Sequence, residues 1–256
     1  AAEISALRDS FTSLSDAPGD AFLQSETVKH AVDTAQKIND LGDLIMTSRN
    51  DAQDDMASTV NRINQLLVQI ADLNDKVQDN LNINRSTAIA EDQRDEAIKE
   101  LADLMDISFF VRGDGVMVVQ SGEGVELANT TAQSLSFSPR PLGATSFYPD
   151  SAVGIYVLPQ NFNGDPATSP TAINITGEDL GGRLGGLLQL RDIDFPKQLA
   201  QLDELAHKMA LRFEAQGLML YTGSSGSIPA DDPPDPSAGP PALAVPYIGF
   251  SLDIQV

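Results

Sequence analysis

The sequence has no cysteine and no tryptophan, and aromatic residues make up only 5% of its 256 positions. Without cysteine there can be no disulfide, thiolate nucleophile, iron–sulfur cluster or Cys-ligated zinc. With so few rings, the core must be built from Leu, Ile, Val, Met and Ala, which suits helix packed on helix. Positive charge is scarce too: 16 Lys and Arg stand against 37 Asp and Glu, a net charge of −21. Such a surface repels phosphates, so nucleic acid is not expected as a partner. The two histidines, His30 and His207, are too far apart for an HExxH-type metal motif. No apolar run approaches the roughly 20 residues that span a bilayer, so a membrane is not expected either. The opening AAEISALRDS lacks the basic and apolar regions of a signal peptide. With no initiator Met, the sequence reads as a piece of something longer.

What is present is 41% hydrophobic residues, enough for a real core, in a length that suits one or two domains. Ile4, Leu7, Phe11 and Leu14 share one helical face before a break at residues 15–20. Residues 21–78 contain no proline and one glycine, Gly42. A heptad frame fits them. One seam runs Val28, Ala35, Gly42, Arg49, Met56, Ile63, Ile70, Val77; the other runs Ala31, Ile38, Ile45, Ala52, Thr59, Leu66, Leu73. Such a helix of about 58 residues would be about 87 Å long, a rod. Gly42 and Arg49 in the seam predict looser packing in its first half. An Asn-rich turn follows, with Ser86 or Thr87 as cap of a third helix.

At Asp106 the period changes. Residues 107–111, 116–120, 125–127, 134–137, 155–158 and 172–175 read as strands separated by Gly and Pro turns. From Leu184 the helical pattern returns. Pro196 is expected to kink or restart the helix beside Asp194 as cap, and Gly217 to end it. Residues 223–246 are Gly, Ser and Pro, with DDPPDP at 231–236, and read as a flexible loop. Residues 247–256 read as a strand. The fold class is therefore α+β: an elongated bundle of long, coiled-coil-like helices with a small inserted β-rich domain. The expected divisions are 1–105, a helical rod; 106–178, the β-rich insertion; 179–221, the returning helix; and 222–256, a Pro/Gly-rich loop with the start of a further β segment. In the bundle, Ile63, Leu66, Ile70 and Leu73 are expected to pack on Leu199, Leu202, Ala206 and Met209.

No motif carries chemistry. Arg112-Gly113-Asp114 has the integrin-type tripeptide, but a hairpin turn between apolar strands accounts for it. Asp51, Asp54 and Asp55, and likewise Asp231, Asp232 and Asp235, lack the spacing of an EF-hand loop; a solvated helix face and a solvated loop explain them. Residues 181–186, GGRLGG, lack the GK[ST] of a phosphate-binding loop and read as close backbone packing. Ser224 and Ser225 sit in no nucleophile elbow. His30 and His207 read as surface or core-edge residues. No catalytic, cofactor-binding or metal residue is nominated, and no enzyme or cofactor is expected.

Three stretches carry a resemblance. EDQRDEAIKELADLMDISFFVRGDGVMVVQSGEGVEL, residues 91–127, has Asp92-Gln93-Arg94-Asp95 on a helix running into a strand pair with a glycine turn. GGRLGGLLQLRD, residues 181–192, leads into FPKQLAQLDELAHKMALRFEAQG. VNRINQLLVQIADLNDKV lies in the heptad helix. In this order they resemble the bacterial flagellar hook-associated protein FlgK family, and Pro246-Tyr247-Ile248-Gly249-Phe250 resembles its alphaproteobacterial members. Glu214 stands where the family usually has Asn, and the family's terminal helical segments are absent. The resemblance implies a structural subunit joining hook to filament, extracellular and exported without a cleaved signal peptide. It implies as partners the hook protein and the neighbouring junction protein, self-association in a ring when full length, and an export chaperone for the full-length chain. The piece by itself is expected to be a monomer. The rival readings are another axial flagellar protein, either the neighbouring junction protein or a flagellin, and an extracellular coiled-coil adhesin with a ligand-binding β domain.

Overall fold

In the computed structural model, which describes residues 2–159, 162–177, 179–230 and 247–256, the apolar periodicity of the first 105 residues becomes three helices. α1 is Ala2–Asp16 and α2 is Ala21–Asn82, 62 residues long. Asp20 caps α2, accepting the backbone N–H groups of Phe22 and Leu23 at 2.8 and 3.3 Å. The seam residues from Ala31 to Val77 are buried, apart from half-buried Ile45, and only Val28 stands exposed. The looser packing expected around Gly42 and Arg49 is not found. A Cβ on Gly42 would lie 2.6 Å from Leu252 Cδ2, so the glycine serves a close approach. Arg49 is 1% exposed and donates to the Gly143 carbonyl at 3.2 Å. α2 runs four residues past its expected end. α3 is Ala88–Leu104, and Thr87 contributes no side-chain cap, contrary to expectation.

The strands form two small antiparallel sheets, the β part of the expected α+β fold. β1 (Ile107–Val111), β2 (Met117–Ser121) and β3 (Glu126–Ala128) lie in the order β1-β2-β3, with Phe109 opposite Val119. β4 (Ser134–Ser136), β5 (Tyr156–Leu158) and β6 (Ile173–Asn174) form the second, with Leu135 opposite Val157. The return to helix comes in pieces: α4 (Gly182–Gln189), a π-helical turn (Leu190–Asp194) and α5 (Phe195–Glu214). Pro196 has no N–H to give and occupies the first turn of α5, so the chain widens into a π turn just before it. Asp194 has helical dihedrals, φ −74° and ψ −49°, and makes no side-chain cap. Gly217, at φ +77°, ends the helix in the left-handed conformation as expected. Residues 247–256 are not a strand: they form a 3₁₀ turn, Phe250–Leu252, and one antiparallel bridge, Thr222 to Gln255.

The chain packs as two compact units, one of Ala1–Arg49, Leu142–Thr145 and Asp194–Val256, the other of Asn50–Pro141 and Ser146–Ile193. Three-stranded sheets this short cannot bury their faces alone. Both therefore share one core with the second half of α2, α3 and α4, in which Ile63, Leu66, Ile70 and Leu101 meet Val119, Leu127, Ile155 and Leu184. The core of the other unit holds Leu7, Ala31, Ala35, Ile38, Ala206 and Ala210, with Leu202 and Met209 against it. The expected pairing of Ile63, Leu66, Ile70 and Leu73 with Leu199, Leu202, Ala206 and Met209 is thus wrong. The cleanest half of the seam is covered by α3 and the sheets, and α5 packs on the half interrupted by Gly42 and Arg49.

Candidate functional site

Among the polar side chains buried in this core of Leu, Ile, Val and Ala, Thr27, Thr34 and Thr59 bond back to carbonyls of α2, while others tie separate elements together. Asn74, on α2, is fully buried. Its Nδ2 donates to the carbonyls of Met117 and Asn129 at 2.8 and 2.6 Å, and its Oδ1 accepts the Met117 N–H at 2.9 Å. The same Oδ1 accepts Nη1 of Arg94, on α3, at 2.8 Å, and that Nη1 also reaches the Gly115 carbonyl at 2.9 Å. Two helices and the first hairpin are thus fixed to one amide. Asn64, ten positions earlier, repeats the device on the second sheet: its Nδ2 donates to Leu135 O at 2.8 Å and its Oδ1 accepts Leu135 N–H at 2.7 Å. Gln53 adds a bond to the Arg140 carbonyl at 2.6 Å.

Arg191, in the π turn, is wholly buried. Its Nε and Nη2 grip the Asp192 carboxylate at 2.8 and 2.7 Å, and its Nη1 donates to the Val153 carbonyl at 2.8 Å. The guanidinium lies 5.6 Å from the centre of the Phe137 ring. Gly181 and Gly182 have φ of +52° and +53° and lie against residues 104–106. A Cβ on Gly182 would meet Leu104 C and Met105 N at 2.7 Å, both backbone atoms. This is close packing, with Asp106 N–H donating to Leu180 O at 2.6 Å.

In the other unit, Asp203 is buried on α5, and its two oxygens accept the N–H groups of Gly249 and Ser251 at 2.8 and 2.9 Å. Burial pushes its carboxyl above the usual carboxylate range, against the pull of these donors. One turn on, His207 is fully buried rather than at a surface or core edge. Its Nε2 lies 2.8 Å from the Pro229 carbonyl and therefore carries the proton, and its ring stacks on Tyr247 at 4.3 Å. Asn39 donates to Ile254 O at 3.1 Å. Residues 247–256 are held by these contacts.

The other singled-out residues have structural settings. Arg112 Nη2 pairs with Asp114 Oδ2 at 2.6 Å, so the tripeptide closes on itself at the tip of the hairpin. That guanidinium, with the Val116 N–H, holds the Asp114 carboxyl below the usual range. Asp55 pairs with Arg183 at 3.2 Å, while Asp51 and Asp54 are exposed on α2. Ser224 donates its N–H and hydroxyl to Asp253 at 2.9 and 3.0 Å, and Ser225 bonds Ser227. His30 is half-buried on α2. Asp231, Asp232 and Asp235, and residues 231–246 of the loop expected at 223–246, lie outside the described residues. Among the described residues, no three acidic or histidine side chains are grouped to hold a metal ion, and no helix is long and apolar enough to cross a membrane.

A family model, the helical domain of the flagellar hook-associated protein FlgK, matches residues 1–227. The chain belongs to the FlgK family. The flagellar hook junction protein FlgK from Burkholderia pseudomallei has the same fold, with a TM-score of 0.70 at 22% identity, over 90% of this chain and 39% of that one. The chain thus spans 39% of the length of that relative. No curated protein matches it. In this FlgK helical domain, the stretches that carry the resemblance supply the clamps: Asn64 and Asn74 from INQLLVQIADLN, Arg94 from DQRD, Arg191 and Asp192 from GGLLQLRD, and Asp203 from QLDELAH. Sequence reasoning assigned none of them this role. Asn64 and Asn74 stand just beside the two seams, where the heptad frame gives no signal for them; only Arg49, within a seam, marks itself as a polar residue facing the core.

Proposed function

We propose that this chain is a structural part of the joint between hook and filament of the bacterial flagellum, outside the cell, and that it performs no catalysis. The observation that carries this reading is the FlgK helical-domain match over residues 1–227. The clamps support it, because side chains that bond backbone across elements stiffen a subunit that bears load. In the full-length protein, the partners are the hook protein, the neighbouring junction protein and further copies of itself in a ring, with an export chaperone before assembly. Export proceeds without a cleaved signal peptide, and zero Cys suits a chain that travels unfolded. The piece alone is a monomer, because a net charge of −21 repels a second copy.

The test is complementation of a strain that lacks the full-length protein. The complete chain should restore filaments, and an epitope within it should label the base of each filament. The 256-residue piece should restore none and should sediment as a monomer. Label along the whole filament, or normal filaments in the strain lacking the protein, would refute the reading.

A further inference from the structure

The unit of Asn50–Pro141 and Ser146–Ile193 holds a cleft of about 320 Å³ that none of the clamps occupies. Its walls include the rings of Tyr148 and Tyr156, and Arg140, Asp150, Asp165 and Asn174 stand around them. Gly154 is what lets the two rings close in. A Cβ there would stand 3.1 Å from Tyr148 Cε2, 3.3 Å from Tyr156 Cε2 and 2.7 Å from Thr176 Oγ1. Thr176 Oγ1 in turn accepts the Ile155 N–H at 2.7 Å, which fixes the strand beneath. Asn174 Nδ2 donates to the Tyr148 hydroxyl at 2.7 Å and holds that ring in place.

The remaining polar groups are not used by the fold. Among the described residues, the Tyr156 hydroxyl, the Arg140 guanidinium and the Asp150 carboxylate make no hydrogen bond. Among the described residues, the Asp165 carboxylate accepts only the Ala167 N–H, at 3.0 Å. Burial, with the nearby Tyr148 and Asp165, pushes the Tyr156 hydroxyl up, so it stays a protonated donor.

These groups select a ligand class. Two carboxylates in a chain of net charge −21 turn away phosphates and other anions. The charged rim turns away lipid. Two carboxylates without a third ligand do not make a cation site. What suits flat rings edged by a donor fork, carboxylates and an amide is a neutral ring with an apolar C–H face and a girdle of hydroxyls. We propose that this cleft binds a neutral carbohydrate residue, its C–H face on the tyrosine rings and its hydroxyls on Arg140, Asp165 and Asn174.

Saturation-transfer NMR on the 256-residue chain tests this, using the methyl glycosides of glucose, galactose, mannose and N-acetylglucosamine, with N-acetylneuraminic acid as the anionic comparison. At least one neutral glycoside should receive transfer at millimolar concentration. Asp165→Asn and Tyr156→Ala should each weaken its binding by about tenfold, the loss of one charge-assisted hydrogen bond or one stacking face. If Tyr156→Ala lowers the melting temperature, Asp165→Asn decides, because that side chain is exposed and carries no core contact. Transfer to none of the four glycosides, binding that survives Asp165→Asn, or a preference for N-acetylneuraminic acid overturns the proposal.

Discussion

Replacing Asn74 by alanine tests whether the first sheet is held to α2 through one side chain. The substitution removes four hydrogen bonds at a position that is 0% exposed. Arg94 keeps the Gly115 carbonyl, so the groups that lose a partner are the Met117 N–H, the Met117 carbonyl and the Asn129 carbonyl. A buried polar group left unsatisfied costs about 1–3 kcal/mol. Asn129 is half-buried and can turn toward water, so the three together cost about 3–6 kcal/mol. Alanine is the better helix former and returns about 0.6 kcal/mol. The net loss should be about 3–5 kcal/mol. Asn64→Ala removes the equivalent pair at half-buried Asn64 and should cost less, about 1–2 kcal/mol. Urea unfolding gives both values, and amide exchange at Met117 reports the clamp directly, since that N–H loses its acceptor. A loss under about 1 kcal/mol, or unchanged protection of the Met117 amide, would refute the reasoning.

Asp203→Ala leaves the N–H groups of Gly249 and Ser251 without their acceptor. It should destabilise its unit by about 2–4 kcal/mol, seen as faster amide exchange at Ser251; unchanged exchange there would contradict the assignment. Gly182→Ala places a methyl 2.7 Å from backbone atoms at φ +53° and should cost about 2–4 kcal/mol. Gly186→Ala, on the same helix with nothing within 4 Å, should be neutral or gain up to about 1 kcal/mol; equal melting shifts for the two would show that close packing is not what the first glycine serves. Burial pushes the Tyr221 hydroxyl up to about 12 from 10.0. The native state therefore keeps a proton that the unfolded chain gives up, so its contribution is complete below pH 10 and falls by about 1.4 kcal/mol per pH unit as pH rises to about 12. Tyr221→Phe should abolish this fall in an alkaline unfolding series, and a fall of the same size in the variant would reject the cause.

The helices and most strands were legible because their signals are local. The heptad seams name thirteen of the twenty buried positions of α2, and the shift from one apolar residue in 3.5 to alternation marks Asp106 sharply. The partner of each seam was not legible. A clean apolar stripe states that something covers it, not what does. Ile63, Leu66 and Ile70 looked ready for another long helix, and α3 with two small sheets covers them. The change of period marks the sheets as an insertion but does not say what lies beneath them. Strands of two to five residues cannot close a core without a helix beneath them, and that requirement places them in the unit of α2's second half. Residues 247–256 alternate like a strand. Gly249 at φ +82° and the bonds to Asp203 turn them into a 3₁₀ element instead.

The clamps were illegible for a different reason. Asn64 and Asn74 lie outside both apolar seams, where the pattern expects a solvated polar residue, and by propensity asparagine in mid-helix is a defect. The value of such a residue appears only when its partners, 43 and 71 positions away, are known. An apolar seam along 62 residues can slide by a heptad with little change in burial. An amide that must donate to one carbonyl and accept one N–H of a given strand residue cannot slide, because every other register leaves those groups unpaired. Asn64 and Asn74 impose that condition on two sheets from one helix, ten residues apart. The register of the second half of α2 against both sheets is therefore set by two side chains that contribute nothing to its hydrophobic pattern.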